Sequence, residues 1–137
     1  MSIESNRALA EGFYSAMAAG DIPWMQENAH PDIVFTQAGR NPIAGTFKGM
    51  DEILGHFGQF IEFSGGDFTI KPYELLVSDD YVVGLVNAEI GRTDGQRLQF
   101  EEIHVVRIED GKLRELNAVP REVHPFDEFF GGGPGNA

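Results

Sequence analysis

The spacing of apolar residues follows a helical period near the N-terminus. Apolar side chains recur there every three or four residues, at Ala8, Leu9, Phe13, Ala16 and Met17. This spacing places them on one face of a helix. It therefore predicts an amphipathic helix that stops at the Ala19-Gly20-Asp21 turn.

Helical and extended signals then alternate. Asp21 can cap a short second helix, and His30-Pro31-Asp32 breaks the chain before the extended run IVFTQA. A loop containing Gly45 and Gly49 leads into MDEILGHFGQFIEF, which predicts a third helix. Its buried side is expected to carry Ile53, Phe57, Phe60 and Ile61.

From Phe68 to Val123 the pattern is almost entirely that of β-strands. Four runs, TIKPYELLV, YVVGLVNAEIG, RLQFEEIHVVRI and KLRELNAV, are separated by turn sequences such as Asp110-Gly111. They predict long antiparallel hairpins. Because the helices come first and the strands follow, we expect an α+β domain whose helices pack on one face of a strongly curved sheet.

One domain accounts for almost the whole chain. The 137 residues, 42% hydrophobic and 11% aromatic, are enough for one folded core. We predict a single domain over residues 1–130 and a flexible glycine-rich tail over 131–137. Deletion of residues 132–137 should leave stability unchanged, whereas Phe129 and Phe130 should matter more.

Charge and cysteine content argue against several partners and locations. Ten basic and twenty-two acidic residues give a net charge of −12, so neither nucleic acid nor a membrane surface is an expected partner. Cysteine is absent, the start MSIESNRALAEG lacks the regions of a signal peptide, and no apolar stretch approaches the length of a membrane span. We therefore expect a soluble cytoplasmic protein.

Two ionisable residues interrupt an apolar strand face. In LQFEEIHVVRI the residues of one face are Leu98, Phe100, Glu102, His104, Val106 and Ile108. Burying an unpaired carboxylate or imidazole costs about 1–3 kcal/mol or more, so Glu102 and His104 predict a lined cavity and a ligand. A satisfied ion pair, or bonds to Asn87, Glu89 or Asn117, would instead give the pair a purely structural role.

Glu102 and His104 also suit proton transfer next to a carbonyl. A histidine titrates near neutral pH, and a neighbouring carboxylate can fix its tautomer or carry a proton. Residues two apart on a strand lie about 6.5–7 Å from each other, so both side chains can reach one ligand. We predict His104 as the principal acid/base and Glu102 as its partner or as a second proton carrier.

Other chemistries find little support in the sequence. The four histidines, His30, His56, His104 and His124, show no short metal-ligand spacing. There is no Gly-x-Ser-x-Gly elbow, and the glycines at 131–133 precede no helix that could bind phosphate. Neither a metal nor an organic cofactor is expected.

Five strings, in their order, resemble the SnoaL-like branch of the nuclear transport factor two and ketosteroid isomerase superfamily. They are AMAAGDIPWM, HPDIVF, GTFKGMDEI, FEEIHVVRIEDGKLREL and PFDEFFG, and the resemblance runs from about Arg7 to Gly131. It implies a cystatin-like, or nuclear transport factor two-like, fold. In that fold a cone-shaped, curved antiparallel sheet and three N-terminal helices enclose a deep apolar pocket.

The resemblance disfavours two known reactions of the superfamily. Ketosteroid isomerases use an aspartate base and an oxyanion hole of tyrosine and protonated aspartate. The matching positions here hold Gln37, Phe13 and Ile103, which cannot serve those roles. Tyr14 is rotated by about 100° from Phe13 along the helix. The acid, arginine and acid of limonene-epoxide hydrolysis are not visible either, because Arg107 lies on the opposite strand face from Glu102.

SnoaL-like polyketide cyclases provide a closer template. There a polar or acidic residue and a histidine two apart on a long strand line the pocket, and a later acidic residue acts as acid/base. Glu102 and His104 match the pair, and Glu122 is the nearest match to the later acid. Because Arg121 and His124 surround Glu122, a solvated turn is the preferred interpretation of that position.

The predicted function follows from the pocket. Its expected lining residues are Phe13, Tyr14, Trp24, Phe35, Gln37, Phe47, Phe57, Phe60, Phe100 and Asn117. A small apolar or cyclic, polyketide-like carbonyl compound is the expected ligand. We expect an isomerase, cyclase or lyase that uses acid/base isomerisation, cyclisation or dehydration; the alternative is a non-catalytic module for small-molecule binding or dimerisation.

A homodimer is also expected, because one face of the predicted strand is too apolar at its centre to remain fully wet. That face carries Arg97, Gln99, Glu101, Ile103, Val105 and Arg107.

Overall fold

The computed structural model describes residues 2–132, in which helices pack against a curved six-stranded sheet. The elements are α1 (Ile3–Ala19), α2 (Ile22–Asn28), β1 (Ala29–Gln37), β2 (Gly45–Lys48), α3 (Met50–Ser64), β3 (Phe68–Val77), β4 (Tyr81–Gly91), β5 (Arg97–Glu109), β6 (Lys112–Pro120) and α4 (Val123–Phe129). The strands lie in the order β2-β1-β6-β5-β4-β3. The predicted α+β class is confirmed.

Side-chain caps and a glycine set the limits of the first two helices. The Ser2 hydroxyl accepts a hydrogen bond from the Ser5 N–H at the start of α1, and Gly20 ends the helix in the left-handed conformation with φ of 68°. The Asp21 carboxylate accepts from the Trp24 N–H and caps α2, as the sequence predicted. None of the helices within residues 2–132 is both long and apolar enough to cross a bilayer.

The sheet differs from the predicted one at its first two strands. Strands β3 to β6 form the predicted antiparallel hairpins, but Gly45–Lys48, predicted as a loop, is a strand antiparallel to β1. Strand β1 pairs with β6 in parallel, with Phe35 opposite Leu116. No hairpin joins β1 to β6, so the local sequence carries no signal for the direction of this pair.

Helix α3 buries a different set of residues from the predicted one. Ile53 is fully buried, but Ile61 is 49% exposed and was wrongly assigned to the core. His56 takes a buried position instead and is 3% exposed. His56 and Phe60 follow Ile53 at i+3 and i+7, which places all three on one face, whereas Ile61 lies about 100° further round the helix.

Two apolar clusters form the interior. The larger one joins α1, the sheet and α3 and includes Phe13, Ile53 and Val106. The second gathers Phe126 and Phe130 from the C-terminal segment against side chains of α3, β3, β4 and β5. Residues of both clusters border the same cavity.

A buried carboxylate attaches α4 to the loop between β1 and β2. One oxygen of Asp127 accepts hydrogen bonds from the Arg40 N–H at 2.9 Å and from Asn41 Nδ2 at 2.7 Å. Phe129 and Phe130 beside it are 8% and 2% exposed. The C-terminal segment therefore contributes to the core.

The first two residues of the predicted tail continue the α4 turn. The N–H groups of Gly131 and Gly132 donate to the Glu128 and Asp127 carbonyls. A side chain at Gly132 would run into the Arg40 carbonyl oxygen, so glycine permits this close approach. Residues 133–137 lie outside the described part of the chain, and the flexible tail predicted there stays a prediction.

Candidate active site

A cavity of about 270 Å³ lies between the inner face of the sheet and helices α1, α2 and α3. Its wall is largely apolar, and β5 contributes every second residue from Phe100 to Val106. Ile22 and Ile61, which are 45% and 49% exposed, border the cavity from α2 and α3. Apolar side chains thus line the route between solvent and the interior.

A chain of hydrogen bonds crosses the polar part of this wall. The Tyr14 hydroxyl lies 2.8 Å from His104 Nδ1, and His104 Nε2 lies 2.8 Å from Glu102 Oε1. Gln37 Nε2 donates to the other carboxylate oxygen, Glu102 Oε2, at 3.2 Å. Glu102 and His104 are 6% and 9% exposed, so all these bonds lie in the protein interior.

The chemistry of the groups gives this chain a direction. An ionised carboxylate only accepts, so His104 Nε2 carries a proton and donates it to Glu102. In a neutral imidazole Nδ1 then accepts, and Tyr14 is its donor. Burial, reinforced by the charge of Glu102, raises the pKa of the Tyr14 hydroxyl, which keeps it protonated. The bonds therefore converge on the Glu102 carboxylate.

Strand alternation and a glycine explain how the chain is assembled. Glu102 and His104 point inward because residues two apart share a strand face. Gly84 on β4 is the cross-strand partner of His104, and a Cβ there would collide with the Tyr14 hydroxyl. Glycine at this position therefore lets helix α1 place Tyr14 against the imidazole.

His56 is a second buried histidine on the cavity wall, and the sequence interpretation considered it only as a metal ligand. Its ring lies 4.4 Å from that of Phe47 and 5.1 Å from that of Phe35, centroid to centroid. Nδ1 is buried without a hydrogen-bond partner among residues 2–132. Burial lowers the pKa of His56 to about 4, against the opposing effect of the Glu102 charge, so the ring is neutral at pH 7.

Comparison with known proteins identifies the family to which this site belongs. The family model described as the SnoaL-like domain matches residues 10–116. The chain belongs to the SnoaL-like domain family. This match includes Tyr14, Gln37, His56, Glu102 and His104, and thus every polar residue of the cavity described so far.

Similar proteins extend over most of this SnoaL-like chain. The uncharacterized protein Rv0034 of Mycobacterium tuberculosis (strain H37Rv) is 23% identical over 95% of this chain and 99% of its own length. Bal32a, from a soil-derived mobile gene cassette, superimposes with a TM-score of 0.88 at 27% identity, over 93% of this chain and 98% of its own. IdmH from Streptomyces antibioticus, for which polyketide cyclase activity is proposed, superimposes with a TM-score of 0.70 at 19% identity, over 84% of this chain and 91% of its own.

The structure places most of the predicted lining residues of this SnoaL-like domain around the cavity. They are Phe13, Phe35, Gln37, Phe57, Phe60, Phe100 and Asn117. Asn117 borders the cavity between Leu116 and Ala118, but its register with Val105 puts its side chain on the opposite face of the sheet. Gln37 and the aromatic residues therefore face the cavity more directly than Asn117 does.

Three predicted lining residues lie behind the wall. Tyr14 contacts His104 and reaches the cavity only through it. The Trp24 ring packs over Gly12, which joins α2 to α1. Phe47 stacks on His56 without bordering the cavity. For Tyr14 and Phe47 a histidine occupies the inner layer, which residue type and spacing alone do not reveal.

The assignment of Glu122 as a catalytic acid is corrected. Glu122 is exposed in the turn between β6 and α4 and borders a polar groove on the outer surface with Arg121 and Pro125. Strand β6 ends at Pro120, and the Arg121 N–H bonds to the Glu101 carbonyl, so the chain leaves the sheet before it can reach the cavity. The solvated-turn interpretation describes this residue.

One group of possible metal ligands lies elsewhere, at the start of β1 and the β5–β6 turn. His30 Nε2 is 3.2 Å from Glu109 Oε2 and 3.7 Å from Asp110 Oδ2. Glu109 already pairs with Arg107 at 3.1 Å and with Arg114 at 3.6 Å. Because two guanidinium groups offset its charge, these residues form an ion-pair cluster rather than an open metal site.

Proposed function

We propose that this SnoaL-like protein catalyses acid/base isomerisation, cyclisation or dehydration of a small, largely apolar carbonyl compound. The observation that carries the proposal is the hydrogen-bonded chain from Tyr14 through His104 to Glu102, which ends on the wall of an apolar cavity. Such a chain holds a base in one position, as proton transfer requires.

The geometry supports Glu102, rather than His104, as the group that takes the proton. Both ring nitrogens of His104 already have protein partners. A carboxylate offers about four acceptor sites, and His104 and Gln37 use two of those on Glu102. Glu102 therefore keeps acceptor capacity for a proton from the ligand, while His104 positions it and Tyr14 fixes the tautomer of His104.

The proposed reaction moves one proton between Glu102 and the ligand and requires no oxidant or reductant. Glu102 removes a proton from the carbon next to the carbonyl, and the C–H electron pair forms a C=C bond as the carbonyl π pair moves to oxygen. Return of the proton to another carbon gives an isomer. When the ligand carries a hydroxyl on the β-carbon, the carbonyl re-forms, the enolate C=C pair expels that hydroxyl by breaking its C–O bond, and the proton goes to the departing oxygen; the products are an α,β-unsaturated carbonyl compound and water. The proposed cyclase activity of IdmH, a protein of the same fold, supports this class of reaction.

Proton exchange at carbon tests the proposal without knowledge of the natural substrate. Small cyclic ketones, including 1-tetralone, are incubated with the protein in D2O, and loss of the α-proton signal is followed by NMR. We expect Glu102→Gln to slow the catalysed exchange by about 10²–10⁴-fold with the fold retained. His124→Gln, at an exposed position on α4, is the matched control and should exchange at the wild-type rate.

A non-catalytic binding module is the second candidate function. The observation that favours it is that both nitrogens of His104 and both oxygens of Glu102 have protein partners, as expected of a structural pair. Ketones would then bind without exchange above the buffer rate. His104→Gln would destabilise the fold by about 1–3 kcal/mol and leave ligand binding intact in the folded fraction.

A further inference from the structure

His56 lies on the cavity wall, and the proton transfer proposed above does not use it. We propose that the His56 imidazole donates an N–H hydrogen bond to the carbonyl oxygen of a ligand whose neighbouring C–H faces Glu102. This inference rests on the proposed function and adds the chemical class of the ligand, an enolisable ketone. It assigns His56 to the binding and polarisation of the carbonyl.

One polar atom of the buried His56 ring lacks a partner within the described part of the chain. His56 is 3% exposed and Nδ1 has no hydrogen-bond partner among residues 2–132. Nearly all buried polar groups in proteins are hydrogen-bonded, so an exception calls for an explanation. Because no protein group within residues 2–132 bonds Nδ1, the single proton of the neutral ring can reside on Nε2, and since His56 borders the cavity, an oxygen of a bound ligand is a natural acceptor for that N–H.

Two aromatic side chains hold the His56 ring in position. Phe47 and Phe35 pack against the imidazole with interplanar angles of 29° and 37°, which restricts its orientation before any ligand enters. A donor that is already oriented need not reorganise when charge develops on the ligand oxygen. The α3 backbone holds the ring at the wall of the cavity, and Glu102 lies near enough to influence its titration.

The protonation state of His56 also suits a hydrogen bond to a carbonyl oxygen. Burial lowers the pKa of His56 to about 4, and the Glu102 carboxylate, which faces the same cavity, opposes this effect. The ring is therefore neutral at pH 7 and carries one N–H. It can hydrogen-bond to a carbonyl oxygen, or to the enolate oxygen that replaces it, without forming an ion pair in the resting state.

These two groups define the ligand class. Glu102 only accepts, and His56 supplies a donor, so a ligand that satisfies both carries an acceptor oxygen beside an acidic C–H. A carboxylate would be repelled by Glu102, and the apolar border at Ile22 and Ile61 disfavours a strongly hydrated ligand. An enolisable ketone on an apolar skeleton meets all these conditions.

A pair of probes isolates the carbonyl contact. Both 1-tetralone and tetralin have the same bicyclic skeleton, but only the first carries a carbonyl oxygen. Calorimetry measures both dissociation constants for wild type, for His56→Phe and for the control His124→Phe. We expect His56→Phe to raise the dissociation constant of 1-tetralone about tenfold relative to that of tetralin, because one hydrogen bond to the ketone is lost. The control should retain the wild-type ratio.

Two other variants and an infrared measurement apply if His56→Phe folds poorly. His56→Asn and His56→Gln restore an amide N–H near the positions of Nδ1 and Nε2, and one of them should recover the ketone preference. The C=O stretch of bound 1-tetralone should lie at lower frequency in wild type than in a variant without the donor. An unchanged ratio and an unchanged stretch in His56→Phe, or failure of both probes to bind wild type, would overturn the proposal.

The same samples separate this inference from the proposed function. If Glu102→Gln abolishes deuterium exchange but His56→Phe keeps both exchange and ketone preference, the assignment of His56 is wrong and the catalytic proposal stands. If wild type prefers the ketone and His56→Phe loses that preference, but no exchange occurs, then His56 binds a carbonyl in a non-catalytic pocket.

Discussion

The buried His56 should make the stability of this protein fall on acidification in a defined pH range. Its pKa is about 4 in the folded protein, against 6.5 for an unperturbed histidine. Between these values the unfolded chain binds a proton that the folded protein does not, so the free energy of unfolding rises with pH. The contribution is present above about pH 6.5 and is lost as the pH falls towards 4.

The magnitude follows from the two pKa values. Integrated over the whole range, the difference corresponds to about 3 kcal/mol. About 2 kcal/mol of this should be lost between pH 7 and pH 5. The side chain is 3% exposed, so solvent screening reduces this figure little. Phe in place of His56 keeps a ring between Phe35 and Phe47 and removes the titration.

Urea unfolding of wild type and His56→Phe at pH 7, 6 and 5, followed by circular dichroism, measures this contribution. The free energy of unfolding of His56→Phe is subtracted from that of wild type at pH 7 and again at pH 5. The change in this difference between the two pH values is the contribution of His56, because the contributions of the carboxylates and of the other histidines are common to both proteins and cancel. The control His124→Phe should follow wild type, because His124 is exposed. Parallel pH dependence in wild type and His56→Phe would refute the claim that His56 is buried and neutral.

Further substitutions and deletions test other parts of the structure. Tyr14→Phe should lower the free energy of unfolding by about 1–3 kcal/mol in urea titrations, because it leaves Nδ1 of His104 buried without its donor. Gly55→Ala should raise it by about 0.5–1 kcal/mol, since Gly55 lies in α3 with no atom within 4 Å of an added Cβ. Deletion of residues 133–137 should leave the melting temperature unchanged. We expect a dimer that forms through the sheet face carrying Ile103 and Val105. Light scattering at micromolar concentration should give the mass of a dimer, and the mass of a monomer would contradict this prediction.

The sequence predicted the two ionisable residues that β5 contributes to the cavity wall, because side chains on a strand alternate strictly between its two faces. Residues alternate along β5, so the apolar neighbours of Glu102 and His104 required both to point inward. The partner of His104 was not predictable, because Tyr14 lies 90 residues earlier and meets it only through the packing of α1 on the sheet. Gly84, in the middle of β4, is a sequence signal for that close approach. It can be interpreted only once the pairing of Gly84 with His104 is known.

Two of the incorrect or missing assignments, those of His56 and Glu122, have different physical causes. His56 occupies the i+3 position after Ile53, so helical spacing alone could have placed it on the buried face. Histidine is not an apolar residue, so the apolar pattern, which includes Ile61, gives no signal for it. Glu122 was assigned by resemblance, but its environment depends on where β6 ends and how the chain turns into α4. Sequence reasoning is weakest at such boundaries.

Several residues that violate local sequence preferences converge on this single cavity. Glu102 and His104 place ionisable groups on an apolar strand face, Gly84 weakens a central strand, and His56 leaves a buried nitrogen without a protein partner. None of these features is what close packing of an apolar interior would favour by itself. A fold selected only for stability would have no reason to gather them at one place, whereas a site that binds a carbonyl compound needs an oriented base, room for the group that orients it and an unpaired donor. Their convergence therefore favours ligand chemistry over a purely structural origin of the network.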